Sequence, residues 1–295
     1  MVVVDSFLRY LITEKRYSTH TVRSYQNDLM QFENFISETQ CSDNLLSCSQ
    51  RHVRSWIISL LDNRMSPRSV NRKITTLRRF FRFCQNAGVV SNNPAGDIPS
   101  LKTAKPIPVF VEESQMINLL TSDTQNLDFP GLRNLLVLEL LYGTGIRVSE
   151  LTGLMDLNAD TKKQQIKVLG KRSKERIVPI NEGLASLIGE YRKIRDQQFE
   201  NMPSGHLIVT DTGKAAYSRL IYRIVNHALS DEAITGRKSP HVLRHTYATH
   251  LLNNGAELNA IKELLGHASL SATQVYTHTG FEKLKKVYEK AHPRA

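Results

Sequence analysis

The stretch "NNPAGDIPSLKTAKPIPVF", Asn92–Phe110, decides how the chain divides. Its four prolines interrupt helical periodicity, because proline fixes φ, withholds a backbone donor and disfavours helix in the residue before it. The reading is an interdomain linker over residues 93–110 between two folded parts, and 295 residues are enough for two globular domains. Upstream, every pattern is helical. "SYQNDLMQFENFI" puts Tyr25, Leu29, Phe32 and Ile36 at helical spacing, and "HVRSWIISLL" does the same with Val53, Trp56, Ile57 and Leu60. Residues 1–92 are therefore expected to form a wholly helical domain. Downstream the pattern mixes. A helix is expected over "PGLRNLLVLELLYGTG", then a hairpin from the β-branched pair "QIKVL" and "RIVPI", then further helices. The expected fold is mainly α with a small β-hairpin or sheet in the C-terminal domain.

The 40% hydrophobic and 23% charged content fits a folded protein with an adequate core. A net charge of +11 and a pI near 9.6 favour a polyanionic partner, either nucleic acid or an anionic membrane surface. The opening "MVVVDSFLRY" lacks the basic n-region and apolar h-region of a signal peptide, and no apolar run approaches the roughly 18 residues of a spanning helix. No membrane insertion and a cytoplasmic location are expected. Cys41, Cys48 and Cys84 are odd in number and lack C-x-x-C spacing, which implies reduced thiols rather than a disulfide framework or a thiolate metal site.

Residues 1–105 carry 15 Lys/Arg against 8 Asp/Glu, the remainder 24 against 20, so most of the excess lies in the smaller part. "RMSPRSVNRKITTLRRFFRF", 64–83, holds seven basic residues and no acid. On a helix, Val70, Ile74, Leu77 and Phe81 form one stripe while Arg68, Arg72 and Arg79 gather opposite it. Guanidinium forks suit phosphate oxygens, so Arg64, Arg68, Arg72, Lys73, Arg79 and Arg82 are the candidate DNA-binding set. The bland alternative is a solvated basic surface.

"HVLRHTYATHLL", His241–Leu252, packs three histidines and an arginine into a helix that otherwise reads as core. His241 and His245 have the i, i+4 spacing of a zinc-binding helix, but no Glu follows His241 and Arg244 would set a fixed cation beside the metal. No metal and no cofactor are expected. Arg244 and a histidine near a helix N-terminus instead suit a phosphate, with Ser239 as cap and Pro240 in the first turn.

These residues belong to a longer pattern. "SPHVLRHTYATHLLNNGAELNAIKELLGHASLSATQVYTH", 239–278, resembles the second box of the tyrosine recombinases, "LYGTGIRVSELTGL", 141–154, resembles their arginine box, and "VLGKRSKERIVPI", 168–180, their lysine-bearing hairpin. Order and spacing agree, the basic helical N-terminal part is similar to the family's core-binding domain, and the resemblance covers nearly the whole chain. Within the family the chain looks most like the Xer subfamily of chromosome-dimer resolvases, by its minimal length and its final "HPRA".

The resemblance implies a two-domain C-shaped clamp, with a SAM-like core-binding domain over 1–92, a catalytic domain over 111–280 and a partner-docking tail over 281–295. It implies the catalytic set Arg147, Lys171, His241, Arg244, His267 and Tyr276. Two guanidiniums would clamp the phosphate, Tyr276 would be the nucleophile with His241 as proton acceptor, His267 would hydrogen-bond the phosphate and Lys171 would protonate the leaving 5′-oxygen. The product would be a 3′-phosphotyrosine bond that conserves energy for rejoining. The implied partners are a double-stranded recombination site, the chain itself or a paralogous recombinase in a tetrameric synapse that passes through a Holliday junction, and a septal DNA translocase.

Singly, each residue has a plainer reading. Arg147 can pair with Glu150 three residues on, Tyr276 can be a core aromatic and His267 a turn histidine. One position departs from the family pattern: Arg172 stands where Gly commonly follows the lysine, which leaves Lys174 as an alternative acid. The same chemistry in a mobile-element integrase or invertase remains open. So do a type IB topoisomerase, which would not need a docking tail, and a DNA-binding regulator without catalysis, against which the intact set argues.

Overall fold

The computed structural model describes residues 2–39, 44–103, 110–121, 127–170, 175–199, 205–231, 238–266 and 278–294. The chain parts into two compact units, Met1–Pro106 and Ile107–Ala295.

The first unit is built from α1 (Val2–Thr13), α2 (Thr19–Glu38), α3 (Gln50–Asp62) and α4 (Pro67–Asn86). Serines precede three of them, and two cap by side chain: Ser18 Oγ accepts from Thr21 N and Ser66 Oγ from Ser69 N, satisfying donors that a helix N-terminus leaves open. Pro67 follows Ser66 where its missing N–H costs nothing. The stripe Val70, Ile74, Leu77 and Phe81 is fully buried, and meets Phe7, Leu29, Phe32 and Trp56 in one core.

The basic face of α4 is not the free stripe its sequence suggests. Asp28, buried on α2, accepts from Arg72, from Lys73 Nζ at 2.9 Å and from Thr76 Oγ1 at 2.9 Å. Lys73 is 3% exposed, also reaches Gln31, and lies 5.7 Å from the centre of the Trp56 ring. Its place in the DNA-binding set is therefore corrected: a buried ammonium costs several kcal/mol unless paired, and Asp28 is its pair. Arg72 stays half-exposed with one end held by Asp28 and Ser24. Arg79 is exposed over the Tyr17 and Tyr25 rings and donates to both hydroxyls. Arg64, Arg68 and Arg82 are exposed.

The first half of the proline-rich stretch also differs from a free linker. Ala95 and Ile98 are buried in the first core. Asn71 exchanges hydrogen bonds with Leu101 at 2.9 and 2.8 Å, and Arg78 donates to the carbonyls of Ala95 and Ile98. Proline forbids helix here, but side chains of α4 satisfy the non-helical backbone, so residues 93–101 belong to the first unit. Residues 104–109 lie outside the described residues.

The second unit holds α5 (Glu113–Thr121), α6 (Phe129–Thr144), α7 (Val148–Thr152), β1 (Ala159–Asp160), β2 (Gln165–Leu169), β3 (Glu175–Pro179), α8 (Glu182–Gln198), α9 (Ser218–Asp231), α10 (Pro240–Asn253), α11 (Leu258–Leu264) and α12 (His278–Ala291). The strands form one antiparallel sheet in the order β1-β2-β3, with Ile166 opposite Val178 and Val168 opposite Arg176. At the centre, α6 is buried on nearly every side, packed by α8 and α10. Among the described residues no helix is long and apolar enough to cross a membrane.

The tail expected to dock on a partner lies, in this single chain, on its own unit. Leu284, Tyr288 and Ala291 of α12 join the core, and Arg294 Nη2 pairs with buried Glu139 at 2.8 Å. His292 stacks on Tyr288 and touches the Tyr142 and Tyr247 rings, and burial pushes its imidazole down to about 4.

Asp28→Ala should cost the first unit about 3 kcal/mol, read by urea denaturation, because it strands the Lys73 ammonium. His292 is neutral when folded, so its contribution is present above the ordinary histidine value of 6.5 and is lost as pH falls towards 4, by up to about 3 kcal/mol. The loss of melting temperature between pH 7.5 and 5 should accordingly be smaller in His292→Phe than in the wild type.

Candidate functional site

The candidate site is assembled where the end of α6, the start of α7, strand β3 and the end of α11 converge on α10. Helix α6 ends at Gly145, which adopts the left-handed conformation at φ +61°. A Cβ there would stand 2.5 Å from the Tyr247 ring, so glycine serves both the turn and the approach of α10. Arg147 follows as the residue capping α7. Its backbone N–H donates to Glu150 Oε2 and its Nη1 to Glu150 Oε1, both at 2.8 Å. The pairing weighed from the sequence is therefore present.

Glu150 does more than pair with Arg147. It is 4% exposed, and Arg176 from β3 grips both of its oxygens, Nη1 to Oε1 and Nη2 to Oε2, at 2.8 Å. Burial alone would raise this carboxyl, but the hydrogen bonds and charge of Arg176, with those of Arg147, outweigh it and hold the group below the usual carboxylate range.

Helix α10 begins at Pro240 after Ser239, which occupies the capping position without a side-chain cap bond. His241 is exposed in the first turn. Arg244, one turn along, donates to the Gly145 carbonyl and through Nη2 to Leu265 O at 2.6 Å. Burial, then the nearby Arg147 charge, lowers its pKa to about 10, still cationic at neutral pH. The rest of α10 is core. Thr246 Oγ1 accepts from Val111 N at 3.0 Å, and Tyr142 OH lies 3.0 Å from His250 Nδ1. His245 is half-buried.

Three successive carbonyls at the end of α11 each accept from a different arginine: Leu264 from Arg176 Nε at 3.1 Å, Leu265 from Arg244, and Gly266 from Arg147 Nη2 at 3.3 Å. The negative end of a helix dipole thus faces three guanidiniums, two of which share the Glu150 carboxylate. The surplus is positive, and part of it is open to solvent, since the Arg147 side chain is 33% exposed. Such a surface can hold an anion with charge-assisted hydrogen bonds.

Of the six catalytic candidates, the structure describes Arg147, His241 and Arg244, and brings the two arginines to one place. Lys171, His267 and Tyr276 lie outside the described residues, as do Arg172 and Lys174. Sequence reasoning missed Arg176. The signal was its strand phase: in "ERIVP" it alternates with Val178 on the inward face, opposite Val168, where a lone arginine demands a partner.

Two family models match the chain: "Phage integrase family" over residues 110–283 and "Phage integrase, N-terminal SAM-like domain" over residues 4–88. Among curated relatives, a tyrosine recombinase XerC of Oceanobacillus iheyensis is 39% identical over 99% of this chain and 96% of its own length. Another, of Listeria welshimeri, is 38% identical over 99% of this chain and 97% of its own length. Among solved structures, the XerH site-specific recombinase bound to a palindromic difH substrate superposes with a TM-score of 0.76 at 18% identity, over 96% of this chain and 93% of that one, a likeness of fold.

Gly145→Ala should lower the stability of the second unit by about 2 kcal/mol or more, by strain at positive φ and by displacing Tyr247, and thermal denaturation would read it. Because Tyr247 lies one turn from Arg244, the same variant should also weaken binding of a test anion such as inorganic phosphate, measured by calorimetry.

Proposed function

The chain belongs to the phage integrase family, the tyrosine recombinases, and from that premise we propose that it resolves chromosome dimers at a site near the replication terminus. It is a site-specific recombinase that breaks and rejoins DNA. The observation that carries the proposal to particular atoms is the cluster of Arg147 and Arg244 with Gly145, Glu150 and Leu265, cationic on balance and partly open.

In the proposed cycle Arg147 and Arg244 hold the non-bridging oxygens of the scissile phosphodiester, whose negative charge grows as it is attacked. The Tyr276 oxygen bonds to phosphorus and the bond from phosphorus to the 5′-oxygen breaks. The phenol's proton passes to His241, which stands exposed one turn from Arg244. Lys171 supplies a proton to the leaving 5′-oxygen, and His267 bonds the phosphate. The 3′-phosphotyrosine keeps the energy of the broken bond, so attack by a 5′-hydroxyl from the partner duplex reverses every step. Four protomers on two sites exchange strands in this way through a Holliday junction. Exposed Arg64, Arg68, Arg79 and Arg82, with the free end of Arg72, contact the backbone of the DNA.

The relatives named XerC favour chromosomal resolution over the integrase or invertase reading. The proposed assembly takes a paralogous recombinase as co-subunit, the tail over 281–295 docking on a neighbouring protomer and a septal DNA translocase as the controlling partner. The test is a duplex carrying the candidate site with a nick that traps the cleaved strand. The wild type should give a covalent protein–DNA band, while Tyr276→Phe should bind the duplex with unchanged affinity and give none. A persistent band in that variant would remove Tyr276 as nucleophile.

A further inference from the structure

Arg176 stands outside the six residues given roles above, yet it touches or adjoins the segments that carry most of them. It lies in β3, five residues past Lys171. Its fork closes on both oxygens of Glu150, the carboxylate that holds Arg147 by backbone and side chain. Its Nε bonds the Leu264 carbonyl, three residues before His267. A Cβ at Gly266 would meet Arg176 Cδ, Nη1 and Cζ at 3.1–3.2 Å, so the backbone ahead of His267 is laid directly against this side chain.

We infer that Arg176 is a positioning residue for strand cleavage, which acts by fixing the direction in which Glu150 holds Arg147 and by setting the end of α11 from which the chain runs on to His267. The inference rests on the recombinase reading. A carboxylate buried between two guanidiniums is a balance. With Arg176 in place, each Glu150 oxygen accepts from both arginines, and Arg147 keeps Nη2 for the Gly266 carbonyl and a third of its surface for solvent. Without Arg176, the full negative charge of a poorly solvated carboxylate falls on Arg147 alone and draws its guanidinium inward, away from any bound phosphate. Only replacement of the whole pair by apolar groups of similar volume is commonly tolerated; loss of Arg176 alone leaves buried Glu150 to Arg147 and lowers stability, so melting temperature is read beside activity. The pair's value is in where it leaves Arg147.

The experiment measures adduct formation on two nicked duplexes, one natural and one in which the scissile phosphate is a neutral methylphosphonate that asks less of a cationic clamp. Wild type, Arg147→Ala, Arg176→Met and Arg176→Lys are compared, with melting temperature and duplex affinity measured for each. Displacement of a clamp by an ångström is worth on the order of 100-fold, so Arg176→Met should slow cleavage of the natural duplex about that much at nearly unchanged affinity. The deficit should shrink on the methylphosphonate, as it does for Arg147→Ala. Arg176→Lys, which keeps the charge and loses the fork, should show an intermediate loss with the same narrowing and serves as the test if Arg176→Met does not fold. A loss equal on both duplexes in the Arg176 variants, while Arg147→Ala narrows, overturns the positioning role. No adduct from wild type on a duplex that it binds overturns the recombinase reading and this inference with it.

Discussion

The ion triad of Arg147, Glu150 and Arg176 is the constraint on which the second unit's site depends. A carboxylate taken out of water at the foot of α7 is tolerable only if both oxygens are fully engaged, and the two engaging groups come from different parts of the chain. Satisfying Glu150 therefore fixes β3 against α7. The Nε of the guanidinium that does this donates to Leu264, which fixes the end of α11. Arg244 and Arg147 take the next two carbonyls. Hydrogen-bond demand thus ties four separate elements together at one point.

Close packing completes what the charges begin. Helix α10 can bring Arg244 to the Gly145 carbonyl only because Gly145 has no Cβ to meet Tyr247, and Tyr247 is fully buried. The arginines are held at both ends, by core packing along α10 and by carbonyls at the rim. Rigidity of this kind is what a charge-stabilising site needs, since preorganised donors do not reorganise when charge develops.

Much of this was legible in the sequence, and the exceptions share a cause. Helical stripes such as Val70, Ile74, Leu77 and Phe81 are local, because a period of 3.6 residues sorts one face from the other without reference to anything distant. The antiparallel pair of β2 and β3 was legible for the same reason, as was the pairing of Arg147 with Glu150. Lys73 was misjudged because its partner Asp28 is 45 residues away and no spacing rule connects them. Residues 93–101 were misjudged because proline announces the absence of helix but is silent about whether side chains elsewhere will bind the extended chain. Arg176 was missed because its role is defined by three segments at once, and only its inward phase in β3 hinted at it.

The burial of Lys73 carries a consequence for the thermodynamics of DNA association. A polyelectrolyte such as duplex DNA gives up condensed counterions only to charges that reach its phosphates, and each such contact steepens the fall of log affinity with log salt by about 0.9. Lys73 is consumed inside the first unit and Arg72 is shared with Asp28, so under the proposed contact of α4 with DNA a count of its basic residues overstates the ions released. The positive charge of the chain is thus partly structural. On the proposed α4 contact, the salt response should follow the arginines that Asp28 leaves unclaimed, while the overall net charge governs how strongly the duplex is felt from a distance.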